Sequence, residues 1–334
     1  PMTFTAPVLA GDGRVVYREV RPLEPGPGQL LLRSRANAIC GSDRAAFRAG
    51  TTVVQGHEAA GEVVAAGPGT STPIGTRGVV YLMVFCGQCR SCRYGATNVC
   101  LDKGGDMGFN RDGGLGPFVL VEERIFFPVD DNVPFTTATA LLDLMGTSGH
   151  ALDRAFSLRP DITDLYVAGA GPVGLGVLLM AKLRFGADFP VFISDVSRWR
   201  LDFAAELGGE PVAVPDVPKL PLVDAAVDCS GRVDARHAAV RRLGRRGVLV
   251  CVGHGQGLEL DVSPDLVSNE AGVIGSEYFP FADLEANHAL MLEHLGLVSR
   301  VITHQFDVSS TEAAFEAFIG GETGKVVITQ DDHE

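Results

Sequence analysis

Four cysteines crowd into one short stretch, Cys86-Gly-Gln-Cys89-Arg-Ser-Cys92 followed by Cys100. Thiolates at gaps of two, two and seven residues can close a tetrahedral cage around one Zn²⁺. The competing reading is a disulfide framework. Against it, the other three cysteines, Cys40, Cys229 and Cys251, stand singly, and no apolar export segment opens the chain. A reducing cytoplasm is therefore the expected compartment. A closed four-thiolate cage keeps no open coordination position, so a zinc held there is expected to be structural. The chemistry must lie elsewhere.

A second motif could hold a nucleotide. Gly169-Ala-Gly171-Pro172-Val173-Gly174 directly follows the apolar run Leu165-Tyr-Val-Ala168 and opens a helical pattern. Gly169 permits a tight turn, Gly171 lets the backbone approach a pyrophosphate, and Gly174 allows helix and strand to pack closely. The helix that starts at Pro172 and Val173 offers free N–H groups and a positive dipole end to phosphates. Asp195 lies 21 residues beyond Gly174, at the end of the next strand. A carboxylate there can bind both ribose hydroxyls and repel a 2′-phosphate, which favours NAD over NADP. Arg198 and Arg200 keep NADP open. The bland alternative is a glycine-rich turn plus a surface aspartate.

These motifs need elements to position them. Residues 1 to about 135 are rich in Gly, Pro and short alternating apolar runs, as expected for short antiparallel strands in an irregular barrel. A helix is expected from Thr136 to Phe156. Strands and helices then alternate: strand 165–168, helix 172–185, strand 191–194, helix 198–207, strand 223–227, helix 235–243 and strand 248–252. That order implies parallel βαβ units and a doubly wound sheet. The fold class is α/β in two domains, residues 1–146 with 297–334 returning to them, and residues 147–296. The chain of 334 residues is long enough for two cores. Its formal charge of −13 argues against nucleic acid or an anionic membrane as partner. No apolar run is long enough to span a bilayer. The acidic end from Asp331 to Glu334 is expected to fray.

Taken in order, Cys40-Gly-Ser42-Asp43, Gly56-His57-Glu58, the four-cysteine lobe, the glycine fingerprint and Lys325-Val-Val-Ile328 resemble the zinc-dependent medium-chain dehydrogenase/reductase family. This is the family of alcohol and polyol dehydrogenases, and the resemblance covers nearly the whole chain. It implies a GroES-like β-barrel catalytic domain, a Rossmann coenzyme domain, two zinc ions per subunit and a homodimer or homotetramer. Carried over, Cys40 and His57 match the first two ligands of a catalytic zinc. Asp143 stands where polyol dehydrogenases carry Glu and liver-type alcohol dehydrogenases Cys. Glu58 matches a second acid beside the zinc, and Asp43 a carboxylate that orients the ligating histidine. Ser42 matches the hydroxyl that passes the alcohol proton outward. Many relatives finish that relay with a histidine five residues after the cysteine, but Ala45 stands here. Read without the family, an isolated cysteine such as Cys40 is more often a buried apolar residue, and Asp143 reads as an N-cap or a helix-surface acid.

The implied reaction is hydride transfer from a secondary alcohol to NAD⁺, giving the ketone. A non-enzymatic NAD-binding sensor or scaffold, or an aldehyde reductase or dismutase on the same fold, are the alternatives. For the substrate, Arg44, Arg48, Asp106, Asn110, Arg111 and Asp112 suit a polyhydroxylated molecule or are simply solvated faces. The stretch Met107-Gly-Phe-Asn-Arg-Asp-Gly113 is similar to polyol and aminocyclitol dehydrogenases.

Overall fold

A computed structural model describes residues 4–330, and the acidic end expected to fray lies outside them. The chain divides into two units, residues 1–142 with 280–334, and residues 143–279. The return to the first unit thus falls at Pro280, where the sequence pattern placed it at 297. The intervening helix Asp283–Glu293 has the same apolar texture as the helices before it, so nothing in its pattern marks the crossing.

Along the chain, β1 (Phe4–Gly11), β2 (Arg14–Val20), β3 (Gln29–Ala38), β4 (Ala59–Ala66), β5 (Arg77–Val80), β6 (Phe118–Glu122) and β7 (Phe126–Pro128) come first. They are followed by β8 (Leu165–Ala168), β9 (Val191–Asp195), β10 (Glu210–Ala213), β11 (Val223–Asp228), β12 (Leu243–Cys251) and β13 (Gly272–Gly275). The last two are β14 (Ile302–Asp307) and β15 (Lys325–Thr329).

In the first unit β1 and β2 form a hairpin, and the remaining strands run β14-β15-β3-β4-β5-β7, with β6 also paired to β3. Apart from the parallel β14–β15 pair, these pairings are antiparallel, as the short alternating runs imply. This is the GroES-like barrel. Its core gathers Ile39, Phe47, Phe315, Phe318 and Ile328, with the rings of Phe47 and Phe315 stacked at 4.9 Å.

In the second unit every pairing is parallel, in the order β10-β9-β8-β11-β12-β13. The chain steps one way from β8 to β10 and the other way from β11 to β13. The order therefore reverses between β8 and β11, which is where a Rossmann sheet binds its dinucleotide. Leu165, Tyr166, Val167 and Ala168 are all buried, as a strand covered on both faces requires. The helix Pro172–Phe185 has the bounds its pattern predicts. Lys182 and Arg184 sit in its last turn, facing the negative end of the dipole.

The expected single helix from Thr136 to Phe156 is broken. It becomes a short helix Phe135–Ala138, a tight turn Thr139–Leu141, a π-helical stretch Leu142–Thr147 and an α-helix Ser148–Leu158. Apolar spacing reports which face is buried, and it does not register a local change in hydrogen-bonded ring size. The helix expected at 235–243 also moves, to Val233–Val240, because Leu243 already begins β12.

The helices Ser148–Leu158 and Pro172–Phe185 cross at Gly176. A Cβ added there would lie 2.2 Å from the Leu144 carbonyl oxygen and 2.3 Å from Ser148 Oγ. Gly176→Ala is expected to lower stability by about 1–3 kcal/mol through overpacking. Thermal unfolding checks this, and an unchanged midpoint would contradict so close a crossing.

Candidate functional site

Neighbouring strands deliver the first residues of the site. β3 and β4 pair with Asn37 opposite Ala59. Cys40 therefore emerges at one strand end as His57 and Glu58 enter the next. The Ile39 N–H donates to the Val326 carbonyl (2.9 Å), which ties this corner to β15.

Asp43, first residue of the helix Asp43–Ala49, is buried and serves two partners. Its Oδ2 accepts from the Cys40 N–H (2.9 Å), and its Oδ1 lies 3.3 Å from His57 Nδ1. A carboxylate on Nδ1 leaves Nε2 as the lone pair for a metal. Ser42 is exposed, and its hydroxyl makes no capping bond although it precedes the helix.

Asp143 is neither an N-cap nor a surface acid. It is buried in the π-helical stretch, bonded directly to the last residue of the first unit, and its Oδ1 accepts from Thr147 Oγ1 (3.1 Å). The ligand atoms of Cys40, His57, Glu58 and Asp143 lie within 4.8 Å of one another, all in buried residues. A thiol, an imidazole and a carboxylate in a dry pocket are a donor set that suits Zn²⁺.

The sequence reading missed the partner of Glu58. Lys325 Nζ donates to Glu58 Oε1 at 2.5 Å, and both side chains are fully buried. The available signal was a lysine opening an apolar strand, since a buried lysine requires an acid. It also missed Phe109, whose ring centroid lies 5.0 Å from that of His57. The side of the site nearest His57 is therefore aromatic.

The polar loop expected to meet a substrate is spent on holding itself. Asp106 pairs with Lys103 (2.7 Å), and Asn110 Oδ1 accepts from the Asp106 N–H (2.7 Å). Arg111 pairs with Glu122 (2.9 Å), and Asp112 Oδ1 accepts from the Val54 N–H (2.8 Å). Arg44 lies over the Phe318 ring, 5.1 Å from its centroid, and Arg48 is exposed.

The four-cysteine lobe is built to hold negative sulfur. Cys86 Sγ accepts from the N–H groups of Gln88 and Cys89, and Cys89 Sγ from those of Cys92 and Leu101. Cys100 Sγ accepts from the N–H groups of Cys86 and Asp102. The N–H groups of Cys92 and Leu101 pull the Cys89 thiol down to about 6. Burial, with its thiol neighbours adding to it, pushes Cys92 up to about 12. Crowded thiols therefore resist ionising together, and a divalent cation is the charge that reconciles them. The four ligand atoms lie within 4.8 Å of one another, as a single ion requires. Cys229 and Cys251 are half-buried at strand ends, and burial raises both thiols.

At the sheet's C-terminal edge Gly169 takes φ +98°, a left-handed turn that glycine adopts without strain. A Cβ on Gly174 would lie 1.8 Å from the Gly169 oxygen. Asp195 ends β9. Its Oδ2 accepts from the Ala170 N–H and its Oδ1 from the Ser197 N–H, both at 2.8 Å. The carboxylate thus braces the glycine turn, and each oxygen keeps a lone pair for a ligand hydroxyl. Arg198 is exposed and pairs with Asp202 (2.8 Å). Arg200 is buried, with Nη1 3.8 Å from where a Gly171 Cβ would sit, at the turn expected to carry phosphates.

Two separate ligand sets lead to an expectation of two zinc ions per chain. Cys86→Ser should remove one and lower the unfolding midpoint; Cys40→Ser should remove the other with a smaller effect on stability. Metal analysis and thermal unfolding of protein purified without chelator check both, and a fully active wild type holding one zinc would eliminate one site.

Residues 26–131 match the alcohol dehydrogenase GroES-like domain family and residues 172–293 the zinc-binding dehydrogenase family. The chain is 32% identical to an L-threonine 3-dehydrogenase of Rhizobium rhizogenes, over 91% of this chain and 92% of that protein. It is 29% identical to an uncharacterized zinc-type alcohol dehydrogenase-like protein of Escherichia coli, YphC, over 98% of both chains. Among solved structures it is similar to a putative zinc-binding dehydrogenase of Sinorhizobium meliloti bound to NADP. That likeness has 26% identity and a TM-score of 0.84, and covers 98% of this chain and all of that one. With the barrel, the parallel sheet and both cysteine-bearing sites in place, the chain belongs to the zinc-dependent medium-chain dehydrogenase/reductase family, oxidoreductases acting on CH–OH groups.

Proposed function

We propose that this chain oxidises a secondary alcohol bearing a polar group on the neighbouring carbon to the ketone, with NAD⁺ as hydride acceptor. The observation that carries the reading is the convergence of Cys40, His57 and Asp143, with the exposed Ser42 hydroxyl, which makes no capping bond, two residues along the chain from Cys40. Relatives that oxidise L-threonine at C3 support the vicinal polar group, because their named substrate has one. Polyols and aminocyclitols share that feature. The polar loop 106–112 does not support it, being engaged within the protein.

Zinc held by Cys40, His57 and Asp143 would supply the Lewis acidity that brings an alcohol hydroxyl toward neutral pKa, and NAD⁺ the hydride acceptor. Asp43 holds the His57 ring and the Cys40 backbone in one geometry. Lys325 balances the charge of Glu58, so the acid stays beside the ligands without a second cation. Phe109 excludes water from the face of His57. Ser42 takes the substrate proton and passes it to solvent, since Ala45 offers no imidazole. The exposed Val262 and Val267, with the half-buried edge strand β13, support a homo-oligomer. The gathering of Cys86, Cys89, Cys92 and Cys100 as one ligand set supports a reducing compartment such as the cytoplasm.

NAD is favoured because the Asp195 carboxylate would face a 2′-phosphate, while Arg198 is turned to Asp202. Asp195→Asn, which keeps an acceptor for the loop, is expected to narrow the NAD⁺/NADP⁺ ratio of kcat/KM by roughly tenfold. A wild type that prefers NADP⁺ would overturn this use of Asp195.

Ser42→Ala is expected to cut kcat about 100-fold where hydride transfer limits the rate. Ala45→His is expected to add an ionisation between about pH 6 and 8 to the turnover profile. Near-normal turnover of Ser42→Ala would remove the hydroxyl from the relay. The substrate reading is tested by turnover of L-threonine, vicinal diols, polyols, aminocyclitols and simple alkanols with NAD⁺. Preference for simple primary alkanols would sink it.

A further inference from the structure

Asp228, the last residue of β11, is fully buried and lies opposite Ala168 of β8 on one side and Cys251 of β12 on the other. It therefore stands at the reversal of strand order, next to the glycine turn. Oδ1 accepts from the Ser230 N–H (2.9 Å), the Ser230 hydroxyl (2.7 Å) and the Gly231 N–H (3.2 Å). Oδ2 accepts from Arg236 Nε at 2.7 Å.

Arg236, buried in the helix Val233–Val240, spends the rest of its guanidinium on the loop after β12. Its two terminal nitrogens donate to the Gly253 and Gln256 carbonyls. The two loops also interlock directly. Gln256 N–H donates to the Gly231 carbonyl (2.7 Å), and Gln256 Oε1 accepts from the Val233 N–H (2.9 Å). A Cβ on Gly231 would lie 2.2 Å from the His254 oxygen. One ion pair thus joins the loop 229–232 to the loop 252–256.

Two mononucleotide-binding halves make up such a sheet, and the glycine turn with Asp195 belongs to the first. The loops after β11 and β12 belong to the second. We propose that Asp228 and Arg236 are a positioning pair for the nicotinamide half of the dinucleotide. Neither touches the ligand. The pair sets where the backbone of 229–232 and 252–256 can meet the nicotinamide ribose, and it leaves the adenosine half alone.

The test compares two probes on zinc-loaded protein: the reduced dinucleotide that the wild type binds more tightly, NADH or NADPH, and ADP-ribose, which lacks nicotinamide. Choosing the tighter dinucleotide keeps the outcome separate from the NAD-over-NADP reading. Arg236→Gln is made alongside Asp228→Asn/Arg236→Gln, the double variant that strands no buried charge if the single one folds poorly. Kd for the dinucleotide, from fluorescence titration, is expected to rise about tenfold or more, since a small misplacement of a positioning loop is costly. Kd for ADP-ribose is expected to change by less than about twofold. Arg236→Lys should not rescue, because an ammonium cannot reproduce the three-way fork. Equal weakening of both probes, or no weakening of either, would overturn the proposal.

Discussion

Glu58 is the constraint on which the first unit depends. A carboxylate with no exposure, next to a thiol and an imidazole, cannot remain charged in a dry barrel without a counter-charge. Its counter-charge is Lys325, 267 residues away in sequence. The chain must therefore come back from the second unit and lay β15 beside β3. Stranding either charge would cost about 3–5 kcal/mol, a large share of a typical folding free energy. The same return carries Phe315 and Phe318 into the core and pins the Cys40 corner through Val326. Electrostatics at one pair and packing across the barrel thus require the same topology.

The second unit solves a different problem with a similar device. The centre of its sheet is held by apolar strands such as β8, which specify stacking but not the shape of the loops at their ends. Shape comes from carboxylates at those ends. Asp195 braces the glycine turn through Ala170 and Ser197, and Asp228 braces its own loop through Ser230 and Gly231. In both, backbone N–H groups converge on an ionised oxygen, a stronger bond than a neutral pair supplies. Charge at the strand ends thus fixes where these backbone N–H groups point.

Much of this was legible in the residues. The glycine fingerprint announced its helix with correct bounds because Pro172 and Gly186 punctuate both ends. Cysteine spacing announced the lobe because sulfur ligands leave little freedom. What escaped was non-local or non-periodic. Lys325 is a strand residue until its partner is known, and no local pattern pairs it with Glu58. The π-helical stretch hides inside helical spacing, yet it is what turns Asp143 inward. The loop 106–112 misled for the opposite reason: polar side chains look available in a sequence, whereas Asp106, Asn110, Arg111 and Asp112 are each bound to another group of the protein.

The long reach of the Glu58 pair bears on how the protein is made. A ribosome delivers the lobe cysteines within one short loop, so the four thiols can gather before β15 is made. The Cys40 corner has no such independence. Its neutralising ammonium follows Glu58 by 267 residues, and until it emerges the thiol, imidazole and carboxylate face one another without it. The two ligand clusters therefore form on different clocks: one from residues local in sequence, the other only once β15 pairs with β3.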